Sequence, residues 1–118
     1  MLTSPKWLLH LEGLIVFVAA IVAYREIGGS WLRFALLFLV PDVFMAGYFF
    51  GTKVGAIGYN VGHTYASPCL LWLVAYFAHF PLVIFACVIW VAHLGFDRLL
   101  GYGLKYPTAF KDTHLGRI

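Results

Sequence analysis

Apolar residues dominate four long stretches of this chain, and short polar or glycine-bearing breaks separate them. The breaks are Arg25-Glu26-Ile27-Gly28-Gly29-Ser30, Gly51-Thr52-Lys53 and Ala78-His79-Phe80. Within the stretches there is little amphipathic alternation. A helix that is apolar all round belongs in a large core or in lipid, and a bilayer-crossing helix needs about 17–25 such residues. The pattern predicts helices at about 7–24, 31–50, 54–77 and 81–100, with a polar tail over 101–118. Ser4 and Pro5 suit a helix start, and Gly101 suits a stop. Pro41 interrupts the second helix, where it removes a backbone donor and kinks the chain. Pro68 is expected to bend the third. Gly58 and Gly62 form a small-xxx-small pair that would let a neighbouring helix approach.

Composition moves this reading from a buried core to a membrane. The 118 residues are 63% hydrophobic and only 11% charged, less than half the roughly 25% typical of soluble domains. The expectation is an all-α fold: a four-transmembrane-helix bundle forming one integral membrane domain, residues 1–118. Lys6 and the run from Trp7 resemble a signal peptide at first. However, His10 and Glu12 interrupt the run and no small-x-small site precedes Tyr24, so a retained helix is expected. Cys69 and Cys87 stand singly in apolar runs and read as packing residues.

The net charge of +3 comes without a run of Lys and Arg, which argues against nucleic acid as a partner. The charge does carry a topological signal. With four spans, Lys6, Lys53, Arg98, Lys105, Lys111 and Arg117 fall on one side, and Arg25 and Arg33 on the other. This bias puts both termini in the cytoplasm, in a multi-pass protein of the inner (plasma) membrane. The bilayer is then the first partner. The tail could touch anionic lipid head groups or serve only as a topology signal.

That topology gathers the polar residues. At about 1.5 Å per residue, Glu12, Asp42, His63, His93 and Asp97 all lie roughly 5–15 Å from the cytoplasmic edge. His93 and Asp97 also share a helix face, one turn apart. Ionisable groups inside spans are costly and mark sites by default. Two carboxylates and two imidazoles at one depth suit a divalent metal, Zn, Mn or Fe, with Asp42, His63, His93 and Asp97 as ligands. Glu12 or Asp42 would act as the base on water. Asn60, three residues before His63, would orient a ligand or substrate. Arg98 and Lys105 would meet a phosphate or carboxylate. Each residue also has a structural reading: His93 and His63 as packing groups, Asp97 paired to a base, Asp42 capping the broken helix, and Glu12 snorkelling to the interface.

Pro41-Asp42, Asn60-x-x-His63-Thr64-Tyr65, the segment His93 to Pro107 and the following Phe110 to Gly116 resemble a family of short bacterial integral membrane proteins known as domain of unknown function 4260. Pro-Asp, a histidine with Thr on a third helix, His-x-x-x-Asp, then Gly and Tyr-Pro also look like inner-membrane-associated metal-dependent hydrolases. That resemblance implies metal ligation by Asp42, His63, His93 and Asp97. Phe44 stands where that family has a second Asp, and residues 60–65 hold a single histidine.

Three functions follow as expectations. The first is a metal-dependent hydrolase acting on a lipid or other amphipathic substrate. The second is a non-catalytic assembly factor or subunit of a membrane complex, with homo-oligomerisation as one form of that partnership. The third is a proton-coupled carrier.

Overall fold

The computed structural model describes residues 5–104 and 113–115, and not the side chains of residues 43–46. The described residues are helical almost throughout. Helix α1 spans Pro5–Glu26 and α2 spans Trp31–Leu37. A 3-10 helix covers Val40–Phe50. Helices α3, α4 and α5 span Thr52–His63, Ala66–Ala78 and Pro81–Leu100. Three segments are long and apolar enough to cross a membrane: Pro5–Glu26, Trp31–Phe50 and Pro81–Leu100. The chain is thus a multi-pass membrane protein by helix length and composition. Phe49, Phe50, Leu36 and Leu32 are at least 70% exposed, as side chains facing acyl tails should be.

The expected fourth span is corrected. The predicted helix 54–77 is two helices, and Thr64 between them is extended, at φ −96° and ψ 140°. Pro68 supplies a reason. A proline ring collides with the carbonyl four residues upstream, here Thr64, so the break falls one turn before the proline. Pro68 itself sits in the first turn of α4, where a missing N–H costs nothing. Pro41 does the same to the second span: its carbonyl four residues back belongs to Leu37, the last residue of α2. The charge count that put both termini in the cytoplasm assumed four crossings and does not carry over to three long ones.

A break in lipid leaves carbonyls that water cannot satisfy. Two α5 side chains take that place at the end of α3. Trp90 Nε1 donates to the Gly62 carbonyl at 2.5 Å, and Arg98 Nη2 donates to the His63 carbonyl at 2.7 Å.

Helices α1 and α5 form an antiparallel pair. His10 Nδ1 bonds the Leu99 carbonyl at 2.8 Å, Phe17 packs on Phe96, and Tyr24 packs on Phe85. Lipid tails are as apolar as leucine, so helices in a bilayer gain from close packing rather than from leaving water. Gly13 and Gly95 provide it. A Cβ on Gly13 would stand 2.5 Å from the Leu99 nitrogen, and one on Gly95 would stand 2.6 Å from the Phe17 nitrogen. At the far end Tyr24 is fully buried, and its hydroxyl donates to the Ser30 carbonyl at 2.5 Å. Trp31 and Phe34 pack on its ring, which fixes the turn into α2.

Helix α5 stops at Gly101, φ +98°. Tyr102 N–H donates to the Asp97 carbonyl at 2.8 Å and Gly101 N–H to the Arg98 carbonyl at 3.1 Å, which closes a Schellman-type cap. Beyond it, Leu104 and His114 pair. Leu104 N–H donates to His114 Nδ1 at 2.7 Å, and His114 N–H to the Leu104 carbonyl at 2.9 Å.

Candidate metal centre

The helix breaks and α5 together bring four ligating side chains to one point. Asp42 follows Pro41 at the start of the 3-10 helix, and its amide donates to the Leu39 carbonyl at 3.1 Å. His63 is the last residue of α3. His93 and Asp97 sit one turn apart on α5. One donor atom from each lies within 4.8 Å of all the others.

The distances are nearly uniform. His63 Nε2 stands 3.2 Å from Asp42 Oδ1, 3.3 Å from Asp97 Oδ2 and 3.3 Å from His93 Nε2. His93 Nε2 stands 3.3 Å from Asp42 Oδ1 and 3.1 Å from Asp97 Oδ2. Five edges of a tetrahedron are therefore 3.1–3.3 Å long. The sixth edge, between the Asp42 and Asp97 carboxylates, lies within the 4.8 Å that encloses all four donor atoms. The point equidistant from the four is then about 2.0–2.4 Å from each, a span that includes the bonds zinc makes to imidazole nitrogen and carboxylate oxygen. Calcium fits poorly, since it takes six to eight oxygens at about 2.3–2.6 Å.

Proton placement points the same way. His63 Nδ1 lies 2.9 Å from the Tyr59 carbonyl. A carbonyl can only accept, so Nδ1 carries the hydrogen, and Nε2 of the neutral ring presents a lone pair to the cluster. Backbone carbonyls commonly fix metal-bound histidines in this tautomer. Tyr59 also stacks on His63 with ring centroids 3.8 Å apart. Phe38, at the junction between α2 and the 3-10 helix, packs edge-on against His93 at 5.1 Å. The other ring nitrogen of His93, Nδ1, is buried without a hydrogen-bond partner.

Charge decides what the centre can hold. Two carboxylates no more than 4.8 Å apart repel by about 3–4 kcal/mol or more at an effective dielectric of ~20. Lone pairs from two imidazoles add to that field. Protons on both imidazoles would neutralise the two carboxylates in separate pairs, whereas a divalent cation at the centre would meet all four donors at once and also bring the net charge to zero. Neutrality suits a site in membrane-spanning segments, where net charge is expensive.

The four ligands are not equally enclosed. The side chains of His63 and His93 are 0% and 3% exposed, that of Asp97 is 12% exposed and that of Asp42 is 38% exposed. Asp42 is the accessible member.

The other sequence-predicted residues are not among these four. Glu12 is exposed on α1 and is not one of the four, so its shared depth did not translate into shared position. Asn60 lies on α3 one turn before His63 and is partly buried. Arg98 is buried, with Nη1 donating to the Tyr102 carbonyl at 2.8 Å and Nη2 to His63. It stands 5.8 Å over the Tyr65 ring. Its donors grip the backbone around the centre. Lys105 lies outside the described residues. Sequence reasoning missed Tyr59 and Trp90. The signal for Tyr59 was its i, i+4 spacing to His63; for Trp90 it was an indole donor one turn before His93.

Residues 6–118 match the family model described as Domain of unknown function (DUF4260), so the chain belongs to that family. No curated protein and no solved structure matches it.

Proposed function

We propose that this member of the DUF4260 family is a membrane-embedded metalloprotein, with one divalent cation held by Asp42, His63, His93 and Asp97. The observation that carries the reading is the convergence of four donor atoms within 4.8 Å of one another, with five of the six spacings at 3.1–3.3 Å. Two nitrogens and two carboxylate oxygens favour zinc, with iron or manganese as alternatives.

The activity proposed for it is hydrolysis of a lipid or other amphipathic substrate. A bound zinc would polarise a substrate carbonyl or phosphoryl group and make water acidic enough to react near neutral pH. Asp42 is the ligand able to yield its place, being the most exposed and lying just past a helix break. Once released, its carboxylate can take a proton from the incoming water. His63, His93 and Asp97 keep the centre assembled, and Arg98 holds the His63 backbone in position.

A second reading is a non-catalytic assembly factor or complex subunit with a structural metal. Four protein ligands close the tetrahedron, as structural sites do, and no further carboxylate from Glu12 joins them.

Metal analysis of protein purified in detergent after zinc loading tests the shared premise. About one equivalent per chain is expected, and a large loss in the double variant His63→Ala/Asp97→Asn. Equal zinc in both proteins would sink the metal centre. Turnover of a panel of lipid esters and phosphoesters that vanishes in Asp42→Asn while zinc stays bound supports hydrolysis. Zinc-dependent stability without turnover supports the structural reading.

A further inference from the structure

A second feature is lined by sequence neighbours of the candidate metal centre. An apolar cavity of about 270 Å³ is lined by Leu37, Val40, Pro41, Leu71, Ala86 and Trp90. Two of these residues are tied to the ligands. Pro41 directly precedes Asp42, and Trp90 lies one turn before His93, on the same face of α5. The break that ends α2 at Leu37 creates the space, because it carries Val40 and Pro41 out of a straight helical path. The one polar atom of the Trp90 ring is turned to the Gly62 carbonyl, so the walls offer nothing to a polar guest. Leu71 and Val40 are 40% and 46% exposed, on segments whose exposed side chains face lipid, so the cavity opens sideways to the bilayer. A larger apolar groove of about 550 Å³ runs along α1, α4 and α5, but no residue next to a ligand in sequence lines it.

We infer that this cavity is the acyl-chain subsite of the metal centre: it holds the single alkyl chain of a membrane amphiphile whose polar head meets the cation beside Asp42. The inference rests on the metal reading and specifies the substrate class within it. At about 30 Å³ for a group the size of a water molecule, 270 Å³ holds roughly nine methylenes. The chain enters from the bilayer, and the head group comes to rest where Asp42 is most exposed. The cavity therefore selects a medium-length chain or the proximal part of a longer one. It does not favour a second ring system or a charged tail.

Alkyl hydroxamates test it, since they pair a metal-binding head with a chain of chosen length. Cobalt-loaded protein in detergent is titrated with acetohydroxamate, hexanoyl, decanoyl and myristoyl hydroxamate, and the visible cobalt spectrum reports ligand exchange. Affinity should rise by more than about tenfold from acetohydroxamate to the decanoyl compound and then level off. Ala86→Phe fills the cavity from α5 and Leu71→Trp fills it from α4. In both, cobalt uptake and acetohydroxamate affinity should hold while the decanoyl preference collapses to less than about threefold. Micelle partitioning is common to all the proteins and cancels in the comparison. A decanoyl preference unchanged in both variants, or no spectral response to any chain, overturns the subsite and leaves the metal centre standing. A protein that takes up no cobalt overturns both.

Discussion

The ring of Tyr59 lies flat on the ring of His63, with planes 4° apart, and the Tyr59 carbonyl also accepts the His63 Nδ1 hydrogen. One residue thus fixes both the plane and the tautomer of a candidate ligand from one turn away. Groups that orient a metal-bound histidine typically contribute 10–100-fold to affinity. Tyr59→Ala keeps the carbonyl but removes the stack, so zinc affinity should fall by about tenfold. Tyr59→Phe keeps the stack and should hold affinity close to wild type. Competition against a chelating dye measures both, and equal affinities for Ala and Phe would disprove the orienting role.

The ligands themselves should rank by enclosure. Structural zinc sites bind with roughly 10–16 kcal/mol, so one quarter of that, lost with one ligand, is about 70-fold or more. His63→Ala, His93→Ala and Asp97→Asn should each lose at least that much affinity. Asp42→Asn, on the half-exposed residue, should lose less. Isothermal titration with zinc gives the order directly, and Asp42→Asn proving the most damaging would refute the ranking.

The α1–α5 seam predicts a stability effect far from the metal. A side chain at Gly95 would need to push the Phe17 backbone away, and overpacking of this kind costs about 1–3 kcal/mol. Gly95→Leu should lower the thermal midpoint in detergent with or without zinc. Ala35→Leu, at an exposed position on the lipid-facing side of α2, should not. Identical melting of the two variants would remove the seam from the account.

The tail predicts a pH response. Burial, and after it the nearby Arg98 guanidinium, hold the His114 imidazole below its ordinary value against an opposing contribution from the Leu104 backbone. The neutral ring is the form that accepts the Leu104 N–H. Because the undocked tail binds the proton more readily, docking is at full strength above about pH 6.5 and weakens as pH falls toward the lower, docked-state value. The protection of the Leu104 amide against hydrogen exchange, taken relative to its intrinsic rate at each pH, should fall below that pH in wild type. His114→Phe should remove the dependence, and a flat profile in wild type would refute it.

Much of this architecture was legible in the sequence. The α1 and α5 spans follow from continuous apolar runs with Pro5, Pro81 and Gly101 at their ends. The four candidate ligands were legible because ionisable residues are costly inside such runs and stand out against them. Depth fixes position along a helix axis and not around it: Glu12 is exposed on α1 and is not one of the four. The split of the third helix was half visible. Pro68 signalled a disturbance, but its force falls on Thr64, one turn back, and only partners such as Trp90 and Arg98 let the chain break fully there. The close-packed glycines were expected at Gly58 and Gly62. A further close backbone contact, between α1 and α5, runs through Gly13 and Gly95, far apart in the chain, a pairing that spacing along one helix cannot reveal.

The separation of the four ligands along the chain has a consequence for biogenesis. Asp42 and His63 are made with the earlier segments, while His93 and Asp97 arrive only with α5. Until α5 is delivered, the Asp42 carboxylate in the second span sits in a medium that penalises it. The His63 carbonyl also waits for Arg98. Insertion of α5 therefore satisfies groups left stranded by its predecessors, which makes the final helix the step that locks the earlier ones. A chain stopped before Trp90 would hold only Asp42 and His63 of the four, with the Gly62 and His63 carbonyls lacking the Trp90 and Arg98 donors that α5 has yet to supply.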